Sequence, residues 1–158
     1  MKSGKVIFFL SAIGAILSCN KTRVSPPPVS INIVNAMVAS QPIVPVFGDS
    51  LSITYFSITQ SISYGSSLVY SPASDHFQLS IVQISDTAGA IYGGTFDTSP
   101  GSIYSFFLTG NVLKPDTLWV RDIIPSYNDS SAGVRFVNLS QGSSAISINL
   151  QGNIPRAE

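Results

Sequence analysis

The chain has few of the residues that supply catalysis, metal binding or covalent cross-links. It contains 1 cysteine, 1 histidine and 1 tryptophan, and charged residues make up only 10% of the sequence. Because Cys19 is the sole thiol, no intramolecular disulfide can form, and the fold must depend on its hydrophobic core. A single imidazole without a second histidine or cysteine at ligand spacing predicts no zinc site, so we expect no metal and no cofactor.

The charged residues are also balanced in sign. Lys and Arg number 8, Asp and Glu number 8, and the formal net charge is +0. Beyond the N-terminal segment, Lys21 and Arg23 form the only close cationic pair, so no basic cluster is available to neutralise phosphates. The sequence therefore argues against nucleic acid as a partner.

The one histidine is a weak candidate for catalysis. His76 follows Asp75 in a turn before an apolar strand, but adjacent residues of a strand point to opposite faces. No Gly-x-Ser-x-Gly nucleophile elbow accompanies the pair, and the aspartates are isolated rather than arranged in a calcium-binding loop. Gly93-Gly94 lacks a following helix and lysine, so it is predicted as a turn or bulge and not as a phosphate loop. We expect no enzymatic activity.

The N-terminus carries the clearest signal in the chain. Lys2 and Lys5 flank the start of an apolar stretch of about twelve residues, 6–17, which suits a signal peptide and is too short to span a bilayer. The stretch runs into Ile16-Leu17-Ser18-Cys19, which resembles the lipobox of a bacterial lipoprotein. We expect residues 1–18 to be a lipoprotein signal peptide and Cys19 to be acylated, so that its acyl chains hold the protein on a membrane.

The remainder predicts one all-β domain. Residues 19–28 form a Pro-rich tether, residues 29–152 a β-sandwich and residues 153–158 a tail, because β-branched and aromatic residues alternate with turn-forming ones from residue 29 onward. The candidate strands are 29–36, 43–47, 51–58, 67–70, 77–84, 91–96, 103–109, 117–122, 134–139 and 146–150, with 61–64 as a further candidate. Phe77, Leu79 and Ile81 alternate with polar residues, as do Ile146, Ile148 and Leu150, so we expect one face of each segment in the core. Residues 103–108 are apolar on both faces, as expected of a central strand.

A partial internal repeat relates the two ends of this domain. The segment 31–35, a spacer and 44–48 match 134–138, a spacer one residue longer and 148–152. Residues 134–152 either complete the first sandwich or start a truncated second module. We favour docking onto the same sandwich, because an isolated hairpin is marginally stable in water and exposes its edges.

Three segments together resemble a known family. They are Ile33-Val34-Asn35-Ala36, the strand from Gly101-Ser102-Ile103-Tyr104 to Gly110, and the stretch Val134-Arg135-Phe136-Val137-Asn138-Leu139-Ser140. In their order and spacing they resemble domain-of-unknown-function family 4397, common in lipoproteins of Bacteroidetes-type bacteria. The resemblance covers roughly residues 29–152. It implies an Ig-like antiparallel β-sandwich outside the cytoplasm, and it implies no catalytic residues.

The expected cellular location follows from the lipobox and from the residues after Cys19. The residues after Cys19, Asn20-Lys21-Thr22-Arg23, lack the acidic run associated with surface export in such bacteria. We expect a lipid-anchored protein of the cell envelope, at the outer membrane and facing the periplasm, with the cell surface as the alternative. Its sandwich would be a non-catalytic interaction or structural module that contacts envelope proteins or glycans. The alternative is a glycan-binding or glycan-processing accessory lipoprotein.

The sequence also contains two kinds of candidate surface site. If Leu118 and Val120 face inward, Trp119 and Arg121 lie on the outer face and could bind a ligand, although we favour a neighbouring strand or the second hairpin covering Trp119. Three short motifs, an aspartate followed by Ser or Thr and an apolar residue, resemble sites of protein O-glycosylation in Bacteroidetes-type bacteria. The acceptors would be Thr87, Ser50 and Thr117. Ordinary turn residues are the competing interpretation.

Overall fold

The computed structural model describes residues 25–48, 57 and 59–148 of the chain. The described part is all-β, and its only helical residues are Ser57 and Thr59. Seven strands follow one another along the chain: β1 (Ser30–Asn35), β2 (Ile43–Phe47), β3 (Ser67–Tyr70), β4 (His76–Gln83), β5 (Asp86–Asp97), β6 (Ile103–Asn111) and β7 (Lys114–Asp122). Within this part of the chain, no helix is long and apolar enough to cross a membrane.

The strands form two sheets that pack face to face. One sheet has the order β3-β1-β6-β7 and the other the order β2-β4-β5. The predicted β-sandwich is confirmed. Its antiparallel character holds with one exception, because β1 pairs in parallel with β6. A parallel neighbour is possible here because strands β2 to β5 intervene in the chain and leave ample length for the connection.

The core lies between the sheets and follows the period of two predicted from the sequence. In β1, Ile31 and Ile33 are completely buried and alternate with half-buried residues. Phe77, Leu79 and Ile81 of β4 face them from the second sheet and belong to the same hydrophobic cluster. Each such side chain contributes about 1.5–3 kcal/mol by leaving water, so this interface is the main source of stability.

A buried asparagine closes the core at the end of β1. Asn35 Nδ2 donates to the carbonyl of Ile62 at 3.0 Å, and Asn35 Oδ1 accepts the backbone N–H of Met37 at 3.2 Å. Ile62 itself forms an isolated bridge with Ile43, at the start of β2. The candidate strand 61–64 is therefore a single bridge, and the side chain of Asn35 ties it to the sandwich.

β6 occupies the central position that its two apolar faces predicted. It lies between β1 and β7, and Phe106 and Leu108 on its core-facing side are completely buried. On the opposite side Ser105 and Thr109 are also buried. Polar side chains are buried at such positions when they find hydrogen-bond partners, and Ser105 donates to Asp122 Oδ2 at 2.7 Å.

β5 differs most from its prediction. The candidate strand 91–96 is part of a longer strand, Asp86–Asp97, and Gly93-Gly94 lies within it, opposite Ser80 and Leu79. The prediction of a turn there is wrong, and the register shift in this hairpin lies beside Val82 instead. The hydroxyl of Tyr92 lies over Gly94, where a Cβ atom would be 2.6 Å from it. A glycine is thus tolerated in the strand because a neighbouring ring covers it.

The last part of the tether also contacts the sandwich. The backbone N–H of Gly101 donates to the carbonyl of Pro27 at 3.0 Å, and a Cβ atom on Gly101 would be 3.0 Å from Pro27 Cγ. Gly101 has a φ of 72°, a conformation that glycine adopts without strain. The chain therefore enters β1 along the turn that precedes β6.

The described residues of the two C-terminal candidate strands, 134–139 and 146–148, form no strand, and Ile146 and Ile148 are exposed rather than in the core. None of the described residues 134–148 belongs to either sheet, and this segment is mostly exposed. It therefore adds no described strand to the sandwich. Candidate strand 51–58, apart from Ser57, and residues 149–152 of the repeat lie outside the described residues.

Candidate interaction surface

The end of β7 and the C-terminal segment meet at a polar contact. Arg135 Nη1 forms an ion pair with Asp122 Oδ1, and Arg135 Nη2 donates to Ser105 Oγ at 3.4 Å. Because Asp122 also accepts from Ser105, three side chains converge at the outer side of β6 and β7. Further along the segment, Gln141 Nε2 donates to Asp116 Oδ2 at 3.2 Å. Residues 135–141 therefore run alongside β7 in the opposite direction.

Beside the ion pair lies an open cleft of about 420 Å³. Its lining is mostly apolar and consists of Asp122, Ile123, Ile124, Pro125, Tyr127, Gly133, Val134 and Arg135. Ile123 and Ile124 are 85% and 72% exposed, directly after the last residue of β7. Single exposed apolar residues are common on protein surfaces, but neighbouring ones around a cleft are typical of a contact site.

Local hydrogen bonds shape the loop that returns the chain to this cleft. Asp129 Oδ1 accepts the backbone N–H of Ser131 at 3.0 Å. This backbone hydrogen bond and one from the Ser131 side chain lower the pKa of Asp129, because both stabilise the carboxylate. At the next turn, a Cβ atom on Gly133 would be 2.7 Å from the Tyr127 hydroxyl, so the absence of a side chain lets Tyr127 lie close to the backbone.

The chemistry of this surface suits binding. Its charged groups are an arginine and a carboxylate that already neutralise each other, and its other side chains are aliphatic apart from Tyr127, which adds a hydroxyl. It therefore offers apolar area and a few directional hydrogen bonds to a partner, which is how protein–protein contact sites are built.

Trp119 does not lie in this surface. It pairs in register with Phe106 and shares the core-facing side of the sheet, whereas Leu118 is partly exposed on the other side. The ring of Trp119 lies 4.5 Å from that of Phe96 in the facing sheet and 4.8 Å from that of Tyr104, measured between centroids. The premise that Leu118 and Val120 face inward is therefore wrong, and Trp119 does not form an exposed platform with Arg121.

The histidine has a different partner from the one its sequence position suggested. His76 Nδ1 lies 2.6 Å from Asp97 Oδ1, because the two residues are opposite each other on β4 and β5. Both side chains are exposed. Asp75 instead accepts hydrogen bonds at its backbone carbonyl from Thr98. An exposed pair of this kind serves as a cross-strand contact, worth about 0–1 kcal/mol.

The remaining predicted sites are dispersed. Thr87 and Thr117 are both half-buried in strands: Thr87 is the second residue of β5, and Thr117 lies within β7. Cys19 and Ser50 lie outside the described residues. In the described part of the chain, no group of three or more histidine, cysteine or acidic side chains is placed to hold a metal ion.

Sequence reasoning missed the cleft. The available signal was Ile123-Ile124-Pro125, an apolar pair directly after a strand, where a turn would normally carry polar residues. The pairing of Arg135 with Asp122 could not be found in this way, because it depends on the return path of residues 123–134.

Comparison with known proteins does not assign the chain to a family. No protein-family model matches the chain, and no curated protein matches its sequence. The resemblance to domain-of-unknown-function family 4397 therefore stays a prediction.

Proposed function

We propose that this chain is a lipid-anchored protein of the cell envelope whose β-sandwich is a non-catalytic interaction module. The anchor would be Cys19 at the end of the signal peptide, and the contact site would be the cleft beside β7. The observation that carries the interaction role is the pair Ile123 and Ile124, exposed at the cleft next to an ion pair that is already satisfied. Lining of this kind favours an apolar contact with another protein.

The position of Trp119 favours this role over the glycan-binding alternative. Sugar-binding sandwiches present exposed rings on which the sugar stacks, whereas Trp119 packs between Tyr104 and Phe96. Retention of the protein on a polysaccharide, abolished by a change at the cleft, would contradict our proposal and support the alternative.

The anchor can be tested by fractionation. The wild-type chain should remain in the membrane fraction, and the Cys19→Ala variant should be released, because the acyl chains supply the membrane affinity. Equal release of both proteins would refute the anchor. Protease shaving of intact cells tests the proposed side of the outer membrane: a protein that faces the periplasm is protected until the outer membrane is opened.

The contact site can be tested by photo-crosslinking in cells. A photoreactive amino acid at position 124 should form specific adducts, and the same amino acid at position 113 should form none. Leu113 is a matched control because it is 97% exposed and apolar but lies in the β6–β7 turn, away from the cleft lining. Equal adducts at both positions, or none at 124, would contradict the cleft as the contact site.

A further inference from the structure

The turn that follows β1 has a distinctive set of hydrogen bonds. Asn35 Oδ1 accepts the backbone N–H of Met37 at 3.2 Å, and Asn35 Nδ2 donates to Ser40 Oγ at 3.1 Å. The backbone N–H of Ser40 donates to the carbonyl of Met37 at 3.3 Å. Between them Ala39 has a φ of 57°, the left-handed conformation. The side chain of one asparagine thus organises the exit from the strand.

The same turn recurs in the C-terminal segment. Asn138 Oδ1 accepts the backbone N–H of Ser140 at 3.1 Å, and Asn138 Nδ2 donates to Ser143 Oγ at 2.7 Å. The backbone N–H of Ser143 donates to the carbonyl of Ser140 at 3.3 Å, and Gly142 has a φ of 69°. Each bond occurs at the same spacing from the asparagine as in the first turn. The sequence repeat is therefore also a repeat of local structure.

The two copies differ in what covers them. Ile31 and Ile33, which precede the first turn, are completely buried under the second sheet. The corresponding residues of the C-terminal copy, Val134 and Phe136, are 74% and 65% exposed. Residues 134–138 thus have the pattern of a core strand, but no part of the chain that the structure describes covers their apolar side.

The ion pair explains why this side points outward. Arg135 is bound to Asp122, and Gln141 is bound to Asp116, so these odd-numbered residues face the sheet of their own chain. Val137 and Leu139, on the same side as Arg135, are half-buried. The even-numbered residues from 134 to 140 are exposed. The segment is thereby held with Val134 and Phe136 directed away from its own sandwich.

Further apolar side chains are exposed beyond the turn, and this stretch carries no charge. Ile146 and Ile148 are exposed, and residues 136–148 contain no Asp, Glu, Lys or Arg. A charged partner would find no group of opposite charge along this stretch. A second copy of the same surface meets neither an unpaired charge nor like-charge repulsion, and in a two-fold contact both copies supply the same apolar residues.

We propose that the exposed apolar side chains of residues 134–148 form a self-association surface whose occupant is a second copy of the chain. The two C-terminal segments pack their apolar sides together, as the two sheets of the sandwich pack around Ile31 and Ile33. The inference rests on the proposed interaction function and names its partner. Val134 belongs to both the cleft and the segment, so the two surfaces are continuous.

The test is the oligomeric state of residues 20–158, which include all of the described core. Sedimentation equilibrium should show a monomer–dimer equilibrium for the wild type. Phe136→Asp should weaken the dimer by at least about tenfold, because two buried carboxylates would replace two rings. Val69→Asp should leave the dissociation constant unchanged, since Val69 is also apolar and 68% exposed but lies in β3, at the opposite edge of the sheet from β7.

A wild type that stays monomeric up to the highest soluble concentration would overturn the proposal, as would equal dissociation constants for wild type and Phe136→Asp. A monomer that is retained on a glycan through Phe136 would assign the surface to that ligand and also overturn it. Urea unfolding of each variant separates a lost contact from a lost fold. The two proposals fail separately, because a monomer contradicts the dimer, whereas absence of adducts at position 124 contradicts the cleft.

Discussion

Trp119 stacks on Tyr104, with ring centroids 4.8 Å apart and planes inclined by 18°. The two rings lie on neighbouring strands, β7 and β6, and Phe96 approaches Trp119 from the facing sheet. The only tryptophan of the chain therefore closes one side of the sandwich by joining its two layers.

Replacement of this ring should destabilise the fold without a specific effect on binding. We expect Trp119→Ala to reduce the free energy of unfolding by about 3 kcal/mol, because it removes the contacts with both aromatic neighbours and leaves a cavity. Urea unfolding of residues 20–158 measures this loss. Leu113→Ala is the control and should change the stability by less than about 0.5 kcal/mol. An unchanged unfolding midpoint for Trp119→Ala would show that the ring contributes nothing to the core.

Strand β7 also shows why the sequence alone could not assign every side chain to the core or to the surface. The alternation in β4 predicted the core correctly because that strand has one strongly apolar side, whereas the same alternation in 146–148 did not, since Ile146 and Ile148 are exposed. In β7 the residues on both sides, Leu118, Trp119 and Val120, are apolar, so the period of two gave no preferred side. The sheet neighbours decide it: Trp119 pairs with Phe106, whose side chain is core-facing. Phe106 faces the core because it packs on Tyr92 and Phe96 of the facing sheet, a contact that the pattern within β7 does not show.

The repeat allows a matched test of a buried and an exposed asparagine. Asn35→Ala should reduce the free energy of unfolding by about 2 kcal/mol, because it leaves the buried N–H of Met37 without its partner and removes one of the two hydrogen bonds to the carbonyl of Ile62. Asn138→Ala removes the corresponding turn bonds where water can replace them, and should cost about 0.5 kcal/mol or less. Chemical denaturation of the two variants side by side checks the difference. Equal losses would contradict the assignment of Asn35 as a core residue.

Stability should fall at alkaline pH through Tyr70. Burial raises the pKa of Tyr70 from 10.0 to about 12, and its hydroxyl donates to the carbonyl of Gln60 at 2.9 Å. Since the folded state holds the proton more tightly than the unfolded state, the stabilising contribution is complete below pH 10 and is lost as the pH rises towards 12. Urea unfolding across this range should show a smaller decline for Tyr70→Phe than for the wild type.

The control for this pH dependence is Tyr64→Phe. Tyr64 is exposed in the preceding loop, and its replacement should leave the alkaline decline as it is in the wild type. The same decline in the Tyr70→Phe variant would show that other groups, and not Tyr70, cause it.

The proposed modification of Thr87 can be checked by mass. Asp86 Oδ1 accepts the backbone N–H of Ala88 at 3.1 Å, and this places Thr87 at the start of β5, at the outer edge of its sheet. If Thr87 is O-glycosylated, intact-mass spectrometry of the protein from its native host should show a sugar increment that Thr87→Ala removes. Thr117→Ala, within β7, tests the second described candidate. A mass equal to that of the polypeptide with its lipid alone would remove the prediction for all three acceptors.

Two glycines differ in whether the structure leaves room for a side chain. Gly110 has a φ of 77°, and a Cβ atom there would be 2.5 Å from the backbone carbonyl oxygen of Lys114, across the β6–β7 hairpin. Gly110→Ala should therefore reduce the free energy of unfolding by at least about 2 kcal/mol, because the left-handed conformation and the clash both oppose it. Gly89 has open space around a Cβ atom and an ordinary φ, so Gly89→Ala should be neutral or stabilise by up to about 1 kcal/mol. Thermal unfolding of the pair measures the contrast, and a harmless Gly110→Ala would mean that the hairpin relaxes freely around the added methyl group.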